Sequence, residues 1–379
     1  MVGSLLRPDY LQETRRKVRE GQATAADGRA AEDRAVKEAI ALQEGCGLDA
    51  VSDGEFRRSS FIATIGVRDA ELGPLTGFKT LVADAEWTGL WKYPDGSYGG
   101  LTLPEDHTKA RRSIVVDKIG VKRDIVAEEF PFLKQNTRKA IAKYTFPAPS
   151  WHRTAWDPKY SKDAYPTPEE FLLAMRDYIR DVVKKLIDAG CEYIHMDAPN
   201  YAQWHTDPKI REAFESWGHD MDSELIEDAE IDNSVFDGIT GITRAIHLCR
   251  GNAPRGRWLA SGGYEAIAER FYPLLTNYNT LLLEYDSPRA GDFSSLTHVR
   301  PDTTVVLGLI TTKDGTLEDP EVVEARIREA AEIMPLERLA LSPQCGFASG
   351  EYADTMTPAQ QEAKLRLVGD IARKVWPNG

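Results

Sequence analysis

Apolar, β-rich runs alternate with amphipathic helical segments along most of this chain. The strand-like runs are LDAVSDGE (48–55), KAIAKYTFPAP (139–149), CEYIHMDAP (191–199), RAIHLCRGN (244–252), NTLLLEYDSP (279–288), TTVVLGLITT (303–312) and RLALSPQCG (338–346). The helical segment TPEEFLLAMRDYIRDVVKKLIDAG opens on Thr167-Pro168-Glu169-Glu170 and closes on Gly190. A hydroxyl cap, a proline in the first turn and a terminal glycine are start and stop signals for a helix. DPEVVEARIREAAEIM and TPAQQEAKLRLVGDIARKVW open similarly. Strands separated by helices pair in parallel, with the helices packed on the sheet.

A short run at Val2–Ser4 brings the strand count to eight. Eight βα units predict a closed (β/α)8 TIM barrel. Little chain precedes that first run, so it is expected to be either a short strand or a truncated start. The alternative is an open, doubly wound sheet, which usually carries a glycine-rich phosphate turn after its first strand. VGSLLRP does not have that pattern. A length of 379 residues suits one large barrel or two ordinary domains. The continuous rhythm favours a single catalytic barrel over residues 1–379.

Residues 70–138 interrupt the rhythm. EWTGLWKYPDGSYGG combines aromatics with Pro-Asp-Gly turn chemistry, which predicts a hairpin-containing insertion. Residues 200–235, with Trp204, His205, Trp217 and His219, read as a long charged loop over one end of the barrel. His205 and His219 are expected to be solvated there.

The net charge is −13. Nucleic acid and anionic membranes attract basic surfaces, so neither is expected as a partner. No apolar run reaches the roughly 18 residues of a membrane helix, and the first ten residues lack the apolar stretch of a signal peptide. Four cysteines spread over so long a chain do not form a disulfide framework. A reducing cytoplasm is the expected location, with free thiols available as metal ligands. A homo-oligomer is compatible with these features.

In a barrel, chemistry belongs at the C-terminal ends of the strands. Those ends carry Asp53-Gly54-Glu55, then His195 and Asp197, then His247 and Cys249, then Glu284 and Asp286, and finally Cys345. His247 and Cys249 are two apart and share a strand face. Together with Glu284 and Cys345 they make a plausible tetrahedral zinc set. The plainer reading is a small buried thiol and a hydrogen-bonded core histidine. Cys46 and Cys191, in helix-to-strand turns beside glycines, are read as structural.

These segments resemble the catalytic barrel of cobalamin-independent methionine synthase, in particular its short, single-barrel relatives. VGSLLRP resembles the family's opening Gly-Ser loop, and VSDGEFRRSSF its Gly-Glu-x-x-Arg segment. YIHMDAP, HLCRGN and LSPQCGFAS are similar to its Asp-Glu-Pro strand end, His-x-Cys zinc motif and last zinc cysteine. The resemblance implies Zn²⁺ on His247, Cys249 and Cys345, with Glu284 as fourth ligand until a substrate sulfur replaces it. It implies that Glu55 and Asp197 meet the amino group of homocysteine, and that Gly3 and Ser4 lie against its carboxylate. The partners would be a small-molecule thiol and a methyl donor. Three positions depart from the family: Asp197-Ala198-Pro199, Gln344-Cys345-Gly346, and Thr311, near the place where the long enzymes carry a histidine. The donor, 5-methyltetrahydrofolate or another, stays open.

Several functions compete. One is zinc-dependent methyl transfer to homocysteine. A second is alkyl transfer to another thiol, as in epoxyalkane:coenzyme M transferase, with Arg57, Arg58 or Arg250 receiving a sulfonate. A third is a metal-free acid/base lyase or hydrolase built on Asp53, Glu55, Asp197 and Glu284. A fourth is a noncatalytic zinc or thiol binder.

Overall fold

The structure is a computed structural model that describes residues 2–61, 73–84, 109–252, 256–348 and 355–377. In chain order its strands are β1 (Ala50–Val51), β2 (Leu75–Asp84), β3 (Lys109–Val121), β4 (Ile141–Pro147), β5 (Tyr193–Asp197), β6 (Thr243–Leu248), β7 (Thr280–Glu284), β8 (Thr304–Ile310) and β9 (Leu339–Pro343). Its α-helices are α1 (Asp9–Arg19), α2 (Ala25–Gly45), α3 (Ile125–Asn136), α4 (Pro168–Asp188), α5 (Pro199–His205), α6 (Pro208–Ser216), α7 (Met221–Ser234), α8 (Ala268–Phe271), α9 (Pro320–Ala331) and α10 (Pro358–Val375). Seven strands form one sheet in the order β1-β4-β5-β6-β7-β8-β9. Every pairing in it is parallel.

The long helices form where their caps and stripes dictate. In α4 the Thr167 side chain accepts the Glu170 N–H, and Phe171, Leu172, Met175, Ile179, Val182, Val183 and Leu186 are buried. That spacing of three and four makes one apolar face. Gly190, at φ +80°, ends the segment in the left-handed conformation that glycine adopts without strain. In α10 Thr357 and Gln360 form a reciprocal capping box.

Strand side chains alternate between two faces. Tyr144, Phe146, Ile194, Met196, Ile246, Leu248, Leu281, Leu283, Val305, Leu307 and Leu341 join the helices in the main core. On the other face Val2, Ala245, Leu282 and Val306 cluster, so residues from several strands meet inside the curl. The polar residues Lys143, Thr145, His195, Asp197, His247 and Glu284 share that concave face and are buried.

The sheet therefore curls like a large part of a barrel, but the expected eighth strand at Val2–Ser4 does not form. The chain there is tied to both edges of the sheet instead. Leu5 N–H donates to Gly54 O (3.1 Å) beyond β1, and Phe347 N–H donates to Ser4 O (2.8 Å) beyond β9. One backbone–backbone hydrogen bond to each side among the described residues is too few to make a ladder.

The insertion is narrower than 70–138. β2 and β3 pair antiparallel between β1 and β4, whereas α3 packs on α2 and α4 as a layer helix of the sheet. The turn-rich segment 86–100 lies outside the described residues. Residues 200–235 are helical over most of their length rather than a loop. Asp207 and Asp220 cap α6 and α7 there, and the charges read as loop-like are partly these cap residues.

Candidate metal centre

His247 lies on the concave face of β6, and Cys249 follows on the same side. Cys345 arrives two residues past the end of β9. One donor atom from each of these three buried residues lies within 4.8 Å of the others. The sulfurs of Cys249 and Cys345 are 4.0 Å apart. Two thiolates about 2.3 Å from one tetrahedral zinc would stand about 3.8 Å apart, so the spacing suits a shared ion. The adjoining Cys345 thiol and burial push the Cys249 thiol well above its ordinary pKa. Two such thiolates side by side require a cation. The donor set fits a soft or borderline divalent metal.

The imidazole is held from behind. His247 Nδ1 is 3.0 Å from Asp197 Oδ1, and the same oxygen is 3.0 Å from His195 Nε2. The parallel register sets Asp197 beside His247. A carboxylate behind a ligating histidine fixes its tautomer and ring plane. His195 Nδ1 in turn lies 3.4 Å from Lys143 Nζ. Burial and the adjacent ammonium lower His195 to about 3, which keeps it neutral. Burial alone would raise Asp197, but the two histidines hold it well below the usual carboxylate range.

Glu55 forms the other wall. Gly54 and Glu55 have φ of +70° and +57°, a turn that costs a non-glycine residue about 1–2 kcal/mol. It aims the Glu55 carboxylate inward, where Oε1 accepts a bond from Thr145 Oγ1 (3.0 Å). Oε2 is buried without a hydrogen-bond partner among the described residues. Burial, with Asp197 and Asp53 nearby, raises Glu55 to about 7 against the pull of Arg58. Gly3 passes so close that a Cβ there would overlap Glu55 Oε1, and a Cβ on Gly346 would overlap Ser4 Oγ. The Gly3-Ser4 segment thus lies between Glu55 and the loop carrying Cys345.

Glu284 is fully buried on β7 but is not part of the converging His–Cys–Cys group. Its Oε2 accepts the Arg250 N–H at 2.5 Å. Its Oε1 accepts from Arg289 Nη2 (2.5 Å) and Lys313 Nζ (3.0 Å). Burial would raise its pKa, yet Lys313, Arg289 and Arg250 hold it well below the carboxylate range.

Residues 277–372 match the family described as cobalamin-independent synthase, catalytic domain. Over 377 residues the chain is 37% identical to the uncharacterized protein YxjH of Bacillus subtilis, covering 99% of this chain and 93% of that one. It is 22% identical over 348 residues to a methionine synthase of Saccharolobus solfataricus, covering 92% and 87% of the two chains. This chain belongs to the cobalamin-independent methionine synthase family, among its short relatives. A solved structure from Listeria monocytogenes, described as a candidate vitamin-B12-independent methionine synthase, matches with a TM-score of 0.69 and 26% identity. The match covers 99% of this chain and 96% of that one. The family is one of methionine synthase-like enzymes.

Within that family frame, the structure brings Gly3, Ser4, Glu55, Asp197, His247, Cys249 and Cys345 to one end of the sheet. Cys46 and Cys191 are buried in the main core, away from the converging group. His205 and His219 are not solvated: His205 is buried, and His219 Nδ1 is 2.8 Å from Glu224. The arginines considered for a sulfonate are already engaged. Arg57 pairs with Asp33 and Arg58 with Glu129, while Arg250 donates to Gly262 O and Ala290 O. Sequence reading assigned no role to Lys143, Arg289 or Lys313. Lys143 has a usable signal, since it shares the inward parity of Thr145. Arg289 lies in a single 3-10 turn (Pro288–Ala290) and Lys313 beyond the end of β8, and neither stretch is long enough for periodicity to reveal a direction.

Proposed function

We propose that this chain is a zinc-dependent methyltransferase that moves a methyl group to the thiol of homocysteine, giving methionine. The observation that carries this reading is the buried convergence of His247, Cys249 and Cys345. These residues would hold the zinc, with Glu284 completing the set when no thiol is present. When bound, the zinc supplies the charge that lets a thiol of ordinary pKa about 8.5 ionise near neutral pH. The seven-stranded curl would complete a (β/α)8 barrel, with the N-terminal segment as its eighth stave.

The rest of the work falls to the chain. The orphaned Oε2 of Glu55 and the second oxygen of Asp197 receive the substrate ammonium. Gly3 and Ser4 lie against its carboxylate. Asp197, backed by His195 and Lys143, fixes the ring of His247. In the transfer, a sulfur–methyl bond forms, the bond from the methyl to the donor's leaving atom breaks, and the thiol proton departs. At the end of β8 stand Thr311, Thr312 and Lys313 rather than an imidazole. A donor with a good leaving group suits this site better than one that needs protonation there. A reducing cytoplasm also suits it, because a Cys249–Cys345 disulfide would remove both sulfur donors. A metal-free acid/base site would leave the paired thiols without a role.

Metal quantification and zinc-edge X-ray absorption test the reading. One zinc per chain is expected, and homocysteine should add one sulfur neighbour and remove one oxygen. Full zinc content and activity in Cys249→Ser would overturn it.

A further inference from the structure

We infer that Lys313 and Arg289 are positioning residues that receive the Glu284 carboxylate when an incoming thiol displaces it from the His–Cys–Cys group, and so favour the exchange. The inference rests on the reading of that group as a thiol-binding metal centre, and it concerns residues to which that reading gives no task.

Glu284 ends β7 with its side chain on the concave face, but both of its oxygens are taken. Oε2 meets the Arg250 N–H, and Oε1 meets Arg289 and Lys313. Lys313 Nζ also bonds Asp286 Oδ2 at 3.0 Å, and Arg289 lies 3.7 Å from Asp286 Oδ1. The Arg250 side chain adds a third cation, 3.9 Å from Glu284 Oε2. Among the described residues, Glu284 and Asp286 thus share the cations Arg250, Arg289 and Lys313. If Glu284 withdrew toward the sulfurs, Lys313 and Arg289, whose side chains are only 9% and 11% exposed, would be left to share Asp286. Uncompensated buried charge is costly, and charge-assisted hydrogen bonds are the strong ones.

The arrangement answers a problem of charge. A thiol that replaces a carboxylate beside Cys249 and Cys345 brings one negative charge and sends its proton to solvent. The displaced carboxylate then becomes an extra buried anion. Lys313 and Arg289 neutralise it where it lands. Their strength sets how readily the position is ceded, because only the released carboxylate gains from them.

The test uses the full chain loaded with Co²⁺, titrated with homocysteine and followed by the sulfur-to-metal charge-transfer band. Lys313→Met is expected to weaken homocysteine binding roughly tenfold or more, with cobalt content unchanged. Arg289→Gln should act in the same direction and guards against a folding defect in the first variant. In a Glu284→Gln background, which has no carboxylate to receive, Lys313→Met should change the affinity less than about twofold. Equal affinities for the parent chain and Lys313→Met would overturn the inference. So would a Lys313 effect of undiminished size in the Glu284→Gln background, which would place Lys313 directly on the thiol substrate. Failure of the parent chain to bind cobalt, or of homocysteine to intensify the band that Cys249 and Cys345 already give, would instead remove the underlying reading of the centre.

Discussion

Glu55 combines full burial, a left-handed backbone and one oxygen with no partner among the described residues. That combination is costly unless a ligand uses it. With its pKa raised to about 7, chiefly by burial, Glu55 makes stability depend on pH. The folded state holds the proton more tightly than the unfolded state. The carboxyl's contribution is therefore full below about pH 4.5 and is lost as the pH rises through about 7. Glu55→Gln removes that dependence. In denaturant titrations it should match the parent near pH 4.5 and exceed it in stability by about 3 kcal/mol at pH 8. A difference independent of pH would show that Glu55 is not protonated on burial. The same substitution should abolish tight homocysteine binding, because the ammonium loses a charged partner. His195 shows the complementary case, an imidazole kept neutral by burial and by Lys143, so it orients Asp197 without adding charge.

The N-terminal segment shows how an element can be built without being a strand. It is held by Leu5 to Gly54, Phe347 to Ser4 and the Lys143 ammonium to Val2 O (2.6 Å). Only glycine fits beside Glu55. Gly3→Ala should therefore push either the segment or the carboxylate aside, at about 1–3 kcal/mol. Metal content should stay at one per chain while homocysteine affinity falls. Loss of metal together with affinity would show that the segment supports the metal ligands themselves. The main parallel strands and long helices were legible because caps and apolar periodicity are local signals. α4 begins at Pro168 and α10 at Pro358, directly behind the threonines that mark their starts. That Val2–Ser4 would not form the expected eighth strand was not legible, because a strand needs ladder partners, which local sequence does not show. The helices within 200–235 were hidden by short lengths and acidic caps. In the site, the strand-borne residues His247, Cys249 and Asp197 were legible from parity and resemblance. The engagement of Glu284 was not, because its partners Arg250, Arg289 and Lys313 all lie outside the strands, where no parity shows which way a group points.

At the scale of the whole molecule, an acidic protein encloses cations around its centre. Arg58, Lys143 and Arg250 are all buried, and Lys313 and Arg289 close the Glu284 side. Surface charge and site charge are thus independent, and the net −13 says nothing about the ligand. The proposed ion would also be a mechanical link. His247 and Cys249 come from the middle of the sheet, and Cys345 comes from beyond its last strand. A cation bound to the folded chain at 1,000 times its Kd adds about 4 kcal/mol of stability. In a chain of this size that corresponds to a Tm shift of several degrees. Chelation should lower Tm by that amount. Cys345→Ser should lower it similarly, and chelating the variant should do little more, because both changes remove one link. Cys46→Ser and Cys191→Ser should leave the response to chelator intact. Equal Tm values with and without chelator, at saturating zinc, would mean that the three side chains meet without a metal to join them.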